Sequence, residues 1–201
     1  MGAPFNQNSF DSKTEAQILF GQARDLIENT DSPKGGLGWM DKKNCENALP
    51  LLKIALSLDP DNADIRCGLG DALKTVGKND EALFHLKKTL TIRPDMFIAR
   101  LSVLNLLIKL GNYREALPLA KEGTRQNPKE SMLWYAHAHC CMTTRKFDEA
   151  LQSAKMALDT ATIEDLTPSS RYKNNIVTMI HQARQALKSQ PTAIKTDPQP
   201  G

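Results

Sequence analysis

ADIRCGLGDALKTVGKNDEALFHLKKTLTIRPDM, residues 63–96, holds two helical stripes and two stops. In its first half Ile65, Leu69, Ala72 and Leu73 fall three or four apart, on one face of a helix, and Gly77 ends it. In its second half Leu83, Leu86, Thr89 and Leu90 repeat that spacing, and Pro94 stops the chain from continuing helically. Neither helix can bury its stripe alone, so the two must pair and then stack on neighbours. The same marks recur outward at a fixed interval of 34 residues. Pro60, Pro94 and Pro128 obey it, and so do Ala48, Ala82, Ala116 and Ala150, each followed by Leu. Gly77 and Gly111 stand five residues before their alanines, with Arg145 in that place in the next copy. A period of this length signals repeated helical hairpins.

Arg66-x-x-Leu69-Gly70-x-x-Leu73, followed by Gly77, Ala82 and Pro94, resembles the tetratricopeptide repeat (TPR) pattern. Trp134, Ala138, Cys141, Phe147 and Ala150 match it again, and the resemblance covers roughly residues 44–160. It implies an all-α fold, a right-handed α-solenoid of about four helix–turn–helix pairs with a C-terminal capping helix. The expected organisation is a disordered start over 1–11 and an array over 12–160. Its first repeat (12–62) is atypical, interrupted by a 29–43 loop, and regular repeats follow at 63–96, 97–130 and 131–160. Ser12-Lys13-Thr14-Glu15 reads as a capping box, and Ala16, Leu19, Phe20, Ala23 and Ile27 form the face it opens. The Gly-rich insertion ends in Trp39 and Met40, a possible loop contact with a partner, though a tolerated insertion is the favoured reading. Its glycines lack the Lys-Ser/Thr of a phosphate loop. Thr167-Pro168 reads as a helix start, and Tyr172, Ile176, Met179, Ile180, Ala183 and Leu187 form the inward face of a capping helix within 161–188. A Pro-rich tail over 189–201 is expected to stay disordered.

Apolar residues make up 40% of the 201 and aromatics only 5%, which favours helix-on-helix packing over a β-sandwich. A net charge of +3 is too small to mark a polyanion binder. Residues 63–130 carry 12 basic and 8 acidic side chains, but these are spread over two repeats without interleaved aromatics, so no nucleic-acid partner is expected. No apolar run reaches the length of a bilayer span, and the polar start has no basic–apolar leader pattern. Four cysteines without C-x-x-C pairing read as reduced thiols, which points to a cytoplasmic protein without membrane attachment.

Among groups that could carry chemistry, His137-Ala-His139-Cys140-Cys141 is the one cluster of metal-ligand types. His137 and Cys141 share a face at i, i+4, whereas His139 points away. The repeat pattern puts both where Leu69 and Leu73 stand, so they read as packed core and no metal or other cofactor is assigned. No nucleophile elbow or base–carboxylate pair is present, so the chain reads as no enzyme.

The TPR resemblance further implies that the first helix of each pair lines a concave groove for a peptide or partner helix. The groove positions are Asp71, Lys74, Ile98, Leu101, Ser102, Asn105, Ile108, Met132, Tyr135, His139 and Met142. Some family members clamp the C-terminal carboxylates of heat-shock chaperones with Lys, Asn and Arg on these helices. Here the clamp positions carry Cys67, Asp71, Ser102, Met132 and Ala136, none of them cationic. The reading is therefore a non-enzymatic protein-interaction module or assembly adaptor that takes a protein or peptide partner. The alternatives are a bacterial secretion-type chaperone for an exported protein and, in another class, a metal or redox role of the His137/Cys141 cluster.

Overall fold

The computed structural model describes residues 11–28, 41–162 and 170–189. The expected chain ends and the Trp39/Met40 contact lie outside them. The described residues form nine helices and no strand. They are α1 (Ser12–Glu28), α2 (Lys42–Leu58), α3 (Ala63–Thr75), α4 (Asn79–Ile92), α5 (Phe97–Lys109), α6 (Tyr113–Gln126), α7 (Ser131–Thr143), α8 (Phe147–Asp159) and α9 (Arg171–Ser189). The chain divides into two compact units, one ending at Leu106 and one starting at Leu107.

In the first unit α1 packs on α2, α2 on α3 and α3 on α4. Ala16, Ala23, Leu52, Ala55, Ile65, Leu69, Leu73 and Ala82 form one core there, with Leu19, Phe20 and Leu83 packed against it. Gly70 lets α3 and α4 meet. A Cβ at that position would lie 2.6 Å from Leu86 Cγ and 2.8 Å from its Cδ2, closer than atoms can pack. Asp41 caps α2 by accepting from the Asn44 backbone N–H, and Asn62 caps α3 by accepting from Asp64 and Ile65. Ser12 is already helical rather than a cap, and the Asp11 carbonyl accepts from Glu15.

In the second unit α6 packs on α7, α7 on α8, and α9 on both α8 and α7. Ala116, Ala138 and Ala150 are fully buried, as the period requires. Ile176, Met179 and Ala183 of α9 are buried too, and the first two join Ala138, Ala154 and Ala157 in one core. Thr167 and Pro168, expected to open this helix, lie outside the described residues. Helix α9 begins at Arg171, where Ser170 Oγ accepts from the Lys173 backbone N–H. Pro50 and Pro118 sit inside α2 and α6 without ending either helix.

The 34-residue interval is written into two backbone devices. At each of three turns the chain crosses the left-handed region, with φ of +89° at Gly77, +74° at Gly111 and +61° at Arg145. The next residue then bonds back into the helix, Lys78 to Leu73, Asn112 to Leu107 and Lys146 to Cys141, at 2.8–2.9 Å. The second device ties each first helix to its approach. Arg66 donates to the Pro60 carbonyl, Arg100 to that of Pro94 at 2.5 Å, and Trp134 Nε1 to that of Pro128 at 2.8 Å.

These contacts set two stability outcomes. Arg145→Gly removes the Cβ strain of a left-handed residue and, after the entropy glycine costs, raises stability in urea unfolding by up to ~1 kcal/mol. Gly70→Ala lowers stability by about 1–2 kcal/mol despite alanine's better helix propensity, because Leu86 must shift. An unchanged urea midpoint for Gly70→Ala would mean that α3 and α4 do not touch there.

Candidate functional site

The residues nominated for the inner face separate into three environments. In the first unit Asp71, Lys74 and Ser102 form a hydrogen-bonded cluster that joins α3 to α5. Lys74 Nζ and Ser102 Oγ both donate to Asp71 Oδ1 at 2.6 Å, and Lys74 also donates to Ser102 at 3.0 Å. Ser102 is buried, so this cluster spends its polarity on itself. On the same face of α5, Ile98 is 57% exposed, Asn105 is exposed and Leu101 is half-buried.

Beside them lies a cleft of about 400 Å³, lined by Phe20, Ile27, Leu52, Met96 and Ile98, with Arg24, Glu28, Asp64, Cys67 and Asp71 among them. Each charge at its rim already has a partner within the unit. Arg24 pairs with Glu28 at 3.1 Å, Arg93 with Asp64 at 2.9 Å and Lys74 with Asp71. Burial, with Asp71 beside it, pushes the Cys67 thiol up to about 12, so it stays protonated and inert.

In the second unit Met132 is exposed, while Ile108, Tyr135, His139 and Met142 are half-buried. His139 stacks on Tyr113 with ring centroids 6.1 Å apart. Tyr135 and Met142 pack against the core that α9 closes, and the Tyr135 ring lies 5.3 Å from that of Tyr172. Ser131 and Tyr172 hydroxyls are hydrogen-bonded at 2.9 Å. The capping helix therefore covers part of the surface nominated for a partner. A 34-residue period carries no information about where a non-repeating helix docks.

A second cavity in this unit, of about 820 Å³, lies among α6, α7 and α8. Pro118, Lys121, Trp134, Met156 and Asp159 line it, and His137, Glu149 and Ser153 reach it. His137 Nδ1 lies 2.7 Å from Ser153 Oγ, and its Nε2 lies 3.7 Å from Cys141 Sγ. Glu149, from α8, brings a carboxylate to the same place, so one atom from each of the three groups lies within 4.8 Å of the others. An i, i+4 reading of α7 has no view of Glu149. Its only signal is its place one residue before the repeating Ala150.

With this geometry established, comparison with known proteins identifies the class. A family model described as tetratricopeptide repeat matches residues 40–101 and 76–140, half of the chain. The chain belongs to the tetratricopeptide-repeat family, whose repeats mediate contacts between proteins. It is 27% identical over 128 residues to a Dictyostelium discoideum protein named STIP1 homolog, a match covering 64% of this chain. That match spans only 20% of the relative's length. Among solved structures, the chain resembles a fragment of MamA from Desulfovibrio magneticus RS-1 with a TM-score of 0.62 and 17% identity, covering 89% of this chain and 98% of that one. It also resembles YrrB, described as a TPR protein with an unusual peptide-binding site, with a TM-score of 0.61 and 18% identity over 94% of this chain and 95% of that one. The shared fold is the all-α TPR solenoid. No described helix is long and apolar enough to cross a membrane.

Burial lowers the pKa of His137 below the ordinary 6.5; Glu149 opposes the shift, while Lys121 and Lys146 add to it. Burial also lowers that of His139, and burial with Arg66 nearby lowers that of His85. An imidazole whose folded pKa is depressed costs nothing above pH 6.5. Below it the unfolded chain gains protons that the fold refuses, so stability falls with pH. Urea midpoints measured from pH 7.5 to 5.5 should decline, by at most about 1.4 kcal/mol per pH unit from His137. His137→Gln should flatten that decline.

Proposed function

We propose that the chain is a non-enzymatic interaction module that seats a peptide or helix of a partner protein on the inner face of its first unit. The observation that carries this reading is the cleft bounded by Phe20, Ile27, Leu52, Met96 and Ile98, with exposed Asn105 two turns along α5 from Ile98 on the same helix face. Ile98, 57% exposed at the cleft's edge, joins the apolar lining into a concave patch that a partner side chain could fill. Asn105 can donate to and accept from a peptide backbone at once. Family membership supports an interaction role, and the peptide-binding site described for YrrB supports a peptide as occupant.

The chemistry of the cleft also indicates what it selects. Because Asp71 is held by Lys74 and Ser102 in a largely buried cluster, a charged ligand would have to disturb that bonding to gain a contact there. An apolar anchor side chain meets no such cost. The partner is therefore expected to insert an aliphatic or aromatic residue rather than a terminal carboxylate. This agrees with the absence of cations at the clamp positions Cys67, Asp71, Ser102, Met132 and Ala136.

Capture of proteins from a lysate of the source organism, quantified by mass spectrometry, tests this. Ile98→Asp should lose the wild-type partner at least tenfold, and Asn105→Ala should weaken it several-fold. Retention should change little between 0.05 and 0.5 M salt, because apolar contact is not screened. A partner retained equally by Ile98→Asp, with unchanged circular dichroism, would place binding elsewhere.

A further inference from the structure

The cavity among α6, α7 and α8 is not needed by the inner-face reading, yet His137 and Glu149 line it, and the fully buried Cys141 thiol lies 3.7 Å from that imidazole. We propose that His137, Cys141 and Glu149 form a divalent-cation site of zinc type, with Ser153 orienting the imidazole and the fourth coordination position open to the cavity. Helix α7 supplies His137 and Cys141 one turn apart, and α8 supplies Glu149 together with Ser153 one turn further on. Both helices are pinned at this point by fully buried Ala138 and Ala150, so the donors are held by packed backbone rather than by loops.

The distances suit the ion. Zinc bonds of about 2.3 Å to sulfur and 2.0–2.1 Å to nitrogen at a tetrahedral angle put the two ligand atoms about 3.6 Å apart. Cys141 Sγ and His137 Nε2 are separated by 3.7 Å. A Glu149 carboxylate oxygen lies within 4.8 Å of the Cys141 sulfur and of one His137 ring nitrogen, and it belongs to a side chain 46% exposed, free to swing inward by the roughly 1 Å that closure needs. Lys146 lies 3.5 Å from one Glu149 oxygen, an exposed pair that leaves the second oxygen for the cation.

The second sphere is in place as well. Histidines that bind metal donate their other ring N–H to a neighbouring acceptor, which sets the tautomer. Ser153 Oγ stands 2.7 Å from His137 Nδ1 in that role, leaving Nε2 without a proton, and Cys141 Sγ lies 3.7 Å from Nε2 and 3.9 Å from Nδ1, so a turn of the imidazole is needed to aim Nε2 at an ion beside the sulfur. On binding, the Cys141 thiol gives up its proton to solvent. Thiolate and carboxylate together then neutralise a dication, so the buried site carries no net charge. Zinc prefers this mixture of sulfur, nitrogen and oxygen donors, whereas calcium and magnesium require oxygen alone.

The test is a titration of the purified full chain with Zn²⁺ alone, followed by Co²⁺ as an optical probe. One equivalent should bind, and Co²⁺ should give the charge-transfer absorption of a thiolate ligand. Cys141→Ser should abolish that absorption, Glu149→Gln should weaken binding at least tenfold, and Ser153→Ala should weaken it 10–100-fold. Glu149→Gln, at a half-exposed position, tests the site without disturbing the core, and circular dichroism verifies the fold of each variant. Absence of saturable binding overturns the proposal. So does a Co²⁺ absorption that survives in Cys141→Ser, or a Zn²⁺ affinity unchanged in Glu149→Gln.

Discussion

The architecture depends on how closely two short helices can approach. Helices α3 and α4 have 13 and 14 residues, too few to persist in water by propensity alone, and each is stable only while its stripe is covered. Coverage requires backbone to come near backbone. At Gly70 the missing Cβ is the space that Leu86 occupies, and Ala82 on the opposite helix is likewise fully buried. Fully buried Ala116, Ala138 and Ala150 place small side chains at the same step of the second unit. Enlarging these positions would separate the helices and expose the leucines that stabilise them.

Close approach alone does not set where one hairpin stops and the next starts, and the turn and the proline latch supply that register. In each turn a left-handed residue and one backbone bond terminate the first helix after the same number of steps. In each approach a side-chain N–H reaches the carbonyl of the proline six residues earlier. The proline ring locks φ and so removes one of the two soft torsions leading to the carbonyl that the side chain reaches. Two different side chains, arginine and tryptophan, meet it because what the site selects is a long side chain ending in a donor.

Whether a feature is legible in the sequence depends on whether it demands one residue type or only one kind of atom. Period, helix faces and turn positions are readable because each depends on one residue type in one place, Ala in the contact, Pro after the second helix and Gly in the turn. Arg145 is visible as a break in the glycine series, and the backbone keeps the left-handed turn regardless. The latch is hidden because Arg66, Arg100 and Trp134 share a function without sharing an identity. Asp71, Lys74 and Ser102 can be nominated singly, but their mutual bonding depends on how α3 and α5 meet. Counting along the repeat puts Tyr135 and Met142 on an open surface. The covering helix α9 is not periodic, so counting cannot reveal that it packs there.

Helix α7 shows how one repeat can support two chemistries. Most of its circumference is buried, since α6, α8 and α9 all pack on it, and its polar residues sort by the neighbour they meet. His139 stacks on Tyr113 at the start of α6, whereas His137, two positions earlier and rotated by about 200°, meets Ser153 on α8. Tyr135, two further back, returns to the α9 side. A helix with one free face would expose a histidine to water, where it contributes little to either packing or ligation. Enclosure by three neighbours fixes His137 against Ser153 and Cys141, and fixed neighbours are what convert a histidine in a core into a directed donor. The same enclosure keeps the Cys141 thiol, raised to about 11 by burial, from casual oxidation while it remains within reach of that imidazole.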